Sequence, residues 1–262
     1  LAHEITKGAH IRRDKIDRTL LIINEVSGVR ARAILSPGKE SGTAATTFEM
    51  YTTEHGRAMV FADNYGSRYT GRNRYGARVQ YNNISHVGDQ LQVGYIFTSQ
   101  HLNNFDVRYE LPVGNKGNFS GFAISKMHYE LGQQYQGTGS YGSAFTWEIF
   151  SKTPLKRTLL NNQYFKISYQ HRNLKDHMDV FNYASRKTAR AITVSLEGDD
   201  RTYRAASAYK LRHSFGLLGM KTPDAVAGDA NGTAGNYQKT ELEIFNSNRI
   251  SHNATLHTNI GV

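Results

Sequence analysis

The 262 residues contain no cysteine, which removes disulfide frameworks and thiolate metal sites together. Proline is scarce, with 4 residues against 24 glycines and 16 tyrosines, a balance that favours strands and turns over helices. No run of about 18 apolar residues occurs, so a helical membrane span is excluded. A β-barrel wall escapes that test, because it needs apolar residues only at alternate positions. The N-terminal LAHEITKGAH lacks the charged-then-apolar order of a signal peptide, so an exported protein would have its true start upstream. Although the net charge is +10, no Lys/Arg run, zinc-finger spacing or RNA-binding aromatic signature accompanies it, which sets nucleic acid aside as a partner.

What is present is alternation. An opening segment stands apart: in IRRDKIDRTLLIINEVSG, Ile16, Leu20 and Ile23 recur at helical spacing, and Gly28 stands where a C-cap would be. VRARAIL then alternates, SPGKESG supplies a turn and TAATTFEMYTTE returns as a strand, predicting a helix packed on a hairpin over the first 54 or so residues. From residue 57 the chain reads as ten or eleven strands. Tyr75, Ala77, Val79 and Tyr81 oppose Arg74, Gly76, Arg78 and Gln80; Phe105, Val107, Tyr109 and Leu111 oppose Asn104, Asp106, Arg108 and Glu110. Phe165, Ile167 and Tyr169 oppose Lys166, Ser168 and Gln170, and Tyr209 and Leu211 oppose Lys210 and Arg212. Each such strand has one dry and one wet face. GFAISKMHYEL loses phase between Ile124 and Met127, the signature of a bulge.

Connections near 83–88, 112–117, 153–160, 198–202 and 249–252 read as short, and those near 131–142, 173–187 and 215–236 as long. Short turns at one end of a meander and long loops at the other describe an outer-membrane barrel better than a soluble sandwich.

DNYGSRYTGRNRYG at 63–76, followed by VGDQLQVGY and VRYELPVGNKG, resembles the two-partner secretion transporters of the Gram-negative outer membrane, the haemolysin-activator group of the Omp85 superfamily. The upstream helix and SPGKESGTAATTFEM are similar to the second half of that family's membrane-proximal POTRA domain. The resemblance implies a mainly β chain. Residues 1–55 would be the C-terminal part of a POTRA domain in the periplasm, and 56–262 the N-terminal part of an antiparallel transmembrane β-barrel, sixteen-stranded when complete. It also implies a secreted exoprotein client, outer-membrane lipid as surroundings and no nucleotide. The family's late VRGY-like arginine motif has no match here, so no residue is given its role.

Asp63, Asn64, Tyr65, Gly66, Ser67, Arg68, Tyr69, Thr70, Gly71 and Arg72 would be the end of the first barrel strand and its surface turn. The two glycines suit a tight reversal, and Tyr65, Tyr69 and Tyr75 an aromatic girdle. Arg74, Arg78, Asp106, Arg108, Glu110, Lys166, Lys210 and Arg212 are the candidates for the barrel lumen, where mixed charge keeps a passing polypeptide from sticking.

Catalytic readings fare poorly. Asp106 and Glu110 share a wet face with Arg108 between them, so charge pairing accounts for them without acid–base chemistry. The pairs His3 with His10 and His171 with His177 lack metal-ligand spacing, and GTGSYGSA at 137–144 lacks the lysine of a phosphate loop. No enzyme activity, metal or cofactor is expected. A barrel-assembly insertase, a passive porin and a soluble β-rich adhesin are the competing expectations.

Overall fold

The computed structural model describes residue 8, residues 10–252 and residues 254–262. Helix α1 (Arg13–Glu25) is followed by β1 (Val29–Pro37) and β2 (Ala44–Thr52), which pair antiparallel as a separate two-stranded sheet. Ile16, Thr19, Ile22 and Ile23 are buried. Leu20, expected in that face, is only partly covered, while Ile22 and Thr19 are enclosed, because the helix packs against more than its own hairpin. The chain leaves the helix at Val26 in an extended conformation, so the cap precedes Gly28, which takes φ +78° in the turn that follows.

Eleven strands follow in one antiparallel meander in which each pairs with its sequence neighbours. They are β3 (Gly56–Asp63), β4 (Arg74–Asn82), β5 (Gln90–Thr98), β6 (Asn103–Val113), β7 (Asn118–Glu130), β8 (Ser140–Arg157), β9 (Asn161–Met178), β10 (Tyr183–Arg201), β11 (Ala205–Met220), β12 (Gly235–Arg249) and β13 (Thr255–Gly261). A short helix, α2 (Pro223–Ala227), lies between β11 and β12, with Pro223 in its first turn and Thr222 Oγ1 accepting from Ala225 N–H. The sheet is open: β3 and β13 each pair on one side only.

Register makes the two faces explicit. Tyr75 pairs with Phe97, Val79 with Val93, Val93 with Val107 and Val107 with Ile124, so a row of apolar side chains crosses four strands on one face. On the other, Arg78 pairs with Gly94 and Gly94 with Asp106. Glycine is required where a neighbour's ring lies across the strand: a Cβ on Gly142 would meet Tyr129 Cζ at 2.6 Å, and one on Gly216 would meet Tyr237 Cζ at 2.1 Å.

Two expectations fail. Register runs unbroken through Ile124 to Met127, with Lys126 on the apolar face; the irregularity lies instead between Pro154 and Lys156 in β8, where proline withholds a ladder donor. The supposed long loop at 173–187 is mostly strand: β9 runs to Met178 and β10 begins at Tyr183, joined by a single 3-10 turn and by Asn182 in the left-handed region. Pairing of Lys175 with Arg186 extends the ladder through a stretch that has no apolar alternation to announce it.

Candidate functional site

The ion-paired face of the sheet is built by cross-strand partners. Arg74 grips Asp63 in bidentate fashion, Nε to Oδ1 at 2.7 Å and Nη2 to Oδ2 at 2.9 Å, which ties the two ends of the opening motif together. Arg78 Nη2 stands 4.0 Å from Asp106 Oδ1 across Gly94, where any Cβ would lie 2.5 Å from that oxygen. Arg108 reaches Glu110 at 3.3 Å and places its guanidinium carbon 3.9 Å from the Phe150 ring centroid. Lys166 Nζ meets Glu148 Oε1 at 2.9 Å and lies 4.9 Å from the same ring. Phe150 is thus a buried aromatic platform shared by two cations. Lys210 pairs with Glu197 at 3.0 Å, and Arg212 with Glu241 at 3.5 Å and with Glu243. All eight lumen candidates therefore share one face and are held there in ion pairs.

The opening motif is a loop docked on its neighbours. Gly66 N–H donates to Arg72 O at 2.9 Å; a Cβ on Gly66 would lie 2.1 Å from Gly71 O, and Gly71 itself has φ +106°. Tyr65 N–H donates to Asp63 Oδ1, and Tyr69 N–H to Ser67 Oγ. Thr98 Oγ1 donates to Thr70 O, and Gly132 N–H to Tyr69 O at 2.8 Å. The Tyr69 ring, with Arg68 above it, meets Tyr135 edge-on at 5.5 Å. Of the three tyrosines expected in a girdle, Tyr75 is on the apolar face, stacked on Phe97, and Tyr65 is exposed. Tyr69 instead packs on the 131–139 connection, because its carbonyl and ring are both engaged there. Asn64, Ser67 and Arg72 are solvent-exposed.

At the opposite end of the strands, α1 docks on the turns. A Cβ on Gly88 would lie 2.1 Å from Val26 Cγ1, and one on Gly117 3.1 Å from Ile22 Cγ2. Glu25 meets Lys152 Nζ at 3.6 Å, Arg157 Nε at 3.3 Å and the Tyr164 hydroxyl at 3.2 Å. A cleft of about 460 Å³ between the helical unit and the sheet is lined by Glu25, Ser27, Arg30, Glu54, Arg57 and Gln90, among others. Beside it, Asp89 is fully buried. Burial alone would raise its carboxyl, but hydrogen bonds from Ser85 N–H and the Tyr109 hydroxyl hold it below the usual carboxylate range.

Neither Glu25 nor Asp89 was among the expected site residues. Glu25 does carry a signal: an acidic side chain at a helix C-terminus opposes the helix dipole, which calls for cations from outside the helix.

His171 lies parallel to Trp147 and His177 parallel to Tyr141, with ring centroids 5.5 and 4.9 Å apart; His3 lies outside the described residues. No cluster of three or more metal-ligating side chains occurs among the described residues.

The profile of the haemolysin secretion/activation proteins ShlB/FhaC/HecB matches residues 50–256. The heme/hemopexin transporter protein HuxB of Haemophilus influenzae is similar: versions from two sources are 28% and 26% identical, over 81% and 94% of this chain and 38% and 43% of their own length. The chain thus spans less than half of these curated relatives. Among solved structures, CdiB from Escherichia coli superposes with a TM-score of 0.73 at 18% identity, covering 91% of this chain and 46% of that one. BamA from Haemophilus ducreyi lacking POTRA domains 1–3 gives 0.55 at 14% identity, covering 98% of this chain and 50% of that one. Both likenesses concern the fold, an antiparallel β-barrel.

Proposed function

Because the chain belongs to the ShlB/FhaC/HecB family of haemolysin secretion/activation proteins, we propose that it is part of an outer-membrane transporter that exports one large exoprotein by two-partner secretion. The client would be a haemolysin, an adhesin or a contact-dependent toxin. The observation that carries this reading is the division of the eleven-stranded sheet into an apolar face and a face of paired charges. A barrel wall needs the first toward lipid and the second toward a wet conduit.

In this reading Arg74, Arg78, Asp106, Arg108, Glu110, Lys166, Lys210 and Arg212 line the lumen. Their mutual pairing leaves little unbalanced charge to trap an extended polypeptide. The unit α1–β1–β2 acts as the membrane-proximal POTRA portion on the periplasmic side. Its two-stranded sheet offers edges to which an extended client can add a strand.

The test is deletion of residues 1–54 in the full-length protein. Exported partner in the medium is measured beside heat-modifiable barrel in the membrane. Loss of export with the barrel retained is expected, since closure depends on the downstream strands. Normal export by the deletion variant rejects the capture role, and absence of the protein from the outer membrane rejects the transporter reading itself.

A further inference from the structure

The apolar face gathers several charges of one sign in one place. Lys126 on β7, Lys175 on β9, Arg186 and Arg190 on β10 and Lys221 just beyond β11 are all exposed, and all have the phase of the apolar residues. Lys126 pairs with Phe105 and Phe145, and Arg190 with His171 and Leu217. Lys175 and Arg186 are direct cross-strand partners, and Lys221 N–H donates to Arg186 O at 2.8 Å, so three cations occupy one row across three adjacent strands.

Like charges placed opposite one another repel, and such a row is unfavourable without a counter-charge. Among the described residues no carboxylate lies within ion-pairing distance of these five side chains, and Glu130 at the end of β7 faces His128 Nε2 at 3.7 Å. The contrast with the opposite face, where each of the six basic lumen candidates has its acid, is sharp.

Position narrows the missing anion. The row lies beside connections 131–139, 179–182 and 221–234, at the end of the strands away from α1. Near the α1 end, the charged residues with the apolar phase are Lys156 and Asp200, one of each sign. An anion common to both membrane leaflets would not call for this asymmetry. Next to the row stand Tyr141 on His177 and Trp147 on His171, aromatic pairs of the kind that mark a lipid boundary.

We propose that Lys175, Arg186 and Lys221, flanked by Lys126 and Arg190, bind the phosphate groups of lipid A, the phosphorylated glycolipid of the outer leaflet. The proposal rests on the membrane reading above. Arginine matches a phosphate with two parallel N–H donors, while the lysine stems lie along the apolar wall and lift their ammonium groups to the headgroup level. Phosphate then relieves the repulsion between Lys175 and Arg186.

The experiment uses full-length protein in nanodiscs whose heat-modifiable mobility has first been verified. It is titrated with lipid A bearing both phosphates, with the same lipid stripped of phosphate, and with phosphatidylglycerol. Phosphorylated lipid A is expected to bind at least about tenfold more tightly than either control, since charge-assisted contacts to phosphate are the strong ones. The variant K175Q/R186Q/K221Q is expected to lose that preference, and K175R/R186K/K221R to retain most of it.

Equal binding of the dephosphorylated lipid or of phosphatidylglycerol overturns the proposal, as does an unchanged preference in the glutamine variant. The wild-type comparison alone decides the matter if that variant does not assemble. A protein absent from the outer membrane defeats the transporter reading as well; a membrane-inserted protein indifferent to lipid phosphate defeats only this inference.

Discussion

Tyr164 donates its hydroxyl hydrogen to Glu25 Oε2 at 3.2 Å, joining β9 to the last residue of α1. Lys152 lies 3.9 Å over the same tyrosine ring while also facing Glu25 Oε1, and Arg157 holds Asn162 Oδ1 at 2.6 Å as its Nε meets the same carboxylate oxygen as Tyr164. One carboxylate thus couples the helical unit to two strands of the sheet.

Replacing Glu25 by alanine leaves two cations and a phenol without their shared acceptor. Docking of α1 on the turns is expected to weaken by about 1–3 kcal/mol, the range for a half-buried group stripped of its partner. Hydrogen exchange in 16–26 and 83–89 measures it: faster exchange there, with the strand centres unchanged, is the expected result, and unaltered protection refutes the coupling.

Asp89 gives a pH dependence with a definite sign. Its folded pKa lies below the ordinary carboxylate value, so its contribution is full above about pH 4 and disappears as pH falls through the lower folded value. Asp89→Asn keeps the shape but removes the charge. Its stability is expected to vary less with pH on the acid side than that of the wild type, and parallel acid limbs in denaturant titrations would contradict this.

Val107 lies in the apolar row between Val93 and Ile124. If that row faces lipid near the midplane, Val107→Arg costs about 2–4 kcal/mol of barrel stability in vesicles. Ser125→Arg, on the opposite face, is expected to cost about 1 kcal/mol or less, as at a wet surface. Equal costs for the two would remove the assignment of faces.

Gly142 makes room for the Tyr129 ring, whose hydroxyl crosses it to Asp176 Oδ1 at 2.7 Å. Gly142→Ala is expected to displace that ring and cost about 1–3 kcal/mol, the usual penalty of overpacking. A double-mutant cycle with Tyr129→Ala checks the cause, because the cost of the alanine should largely vanish once the ring is gone.

The sequence by itself determined the strands whose two faces differ in polarity. Tyr75 to Tyr81 and Phe105 to Leu111 announce themselves because a period of two is a local property, readable without knowing the neighbours. The helix, the turn at Gly66 to Gly71 and the shared face of Arg74, Arg78, Asp106 and Arg108 follow from the same local rules.

Only the tertiary structure decided what depends on pairing. Residues 173–187 look like a loop because lysine, arginine and asparagine hide the alternation; Lys175 is in a strand because Arg186 lies opposite it. The irregularity at Pro154, the Phe150 platform shared by Arg108 and Lys166, and the convergence of Lys152, Arg157 and Tyr164 on Glu25 bring together residues far apart in sequence. The unbalanced cationic row belongs with them. Each of its members is an ordinary basic residue in sequence, and only the register of five adjacent strands, β7 to β11, shows that they share a face on which no acid among the described residues pairs with them.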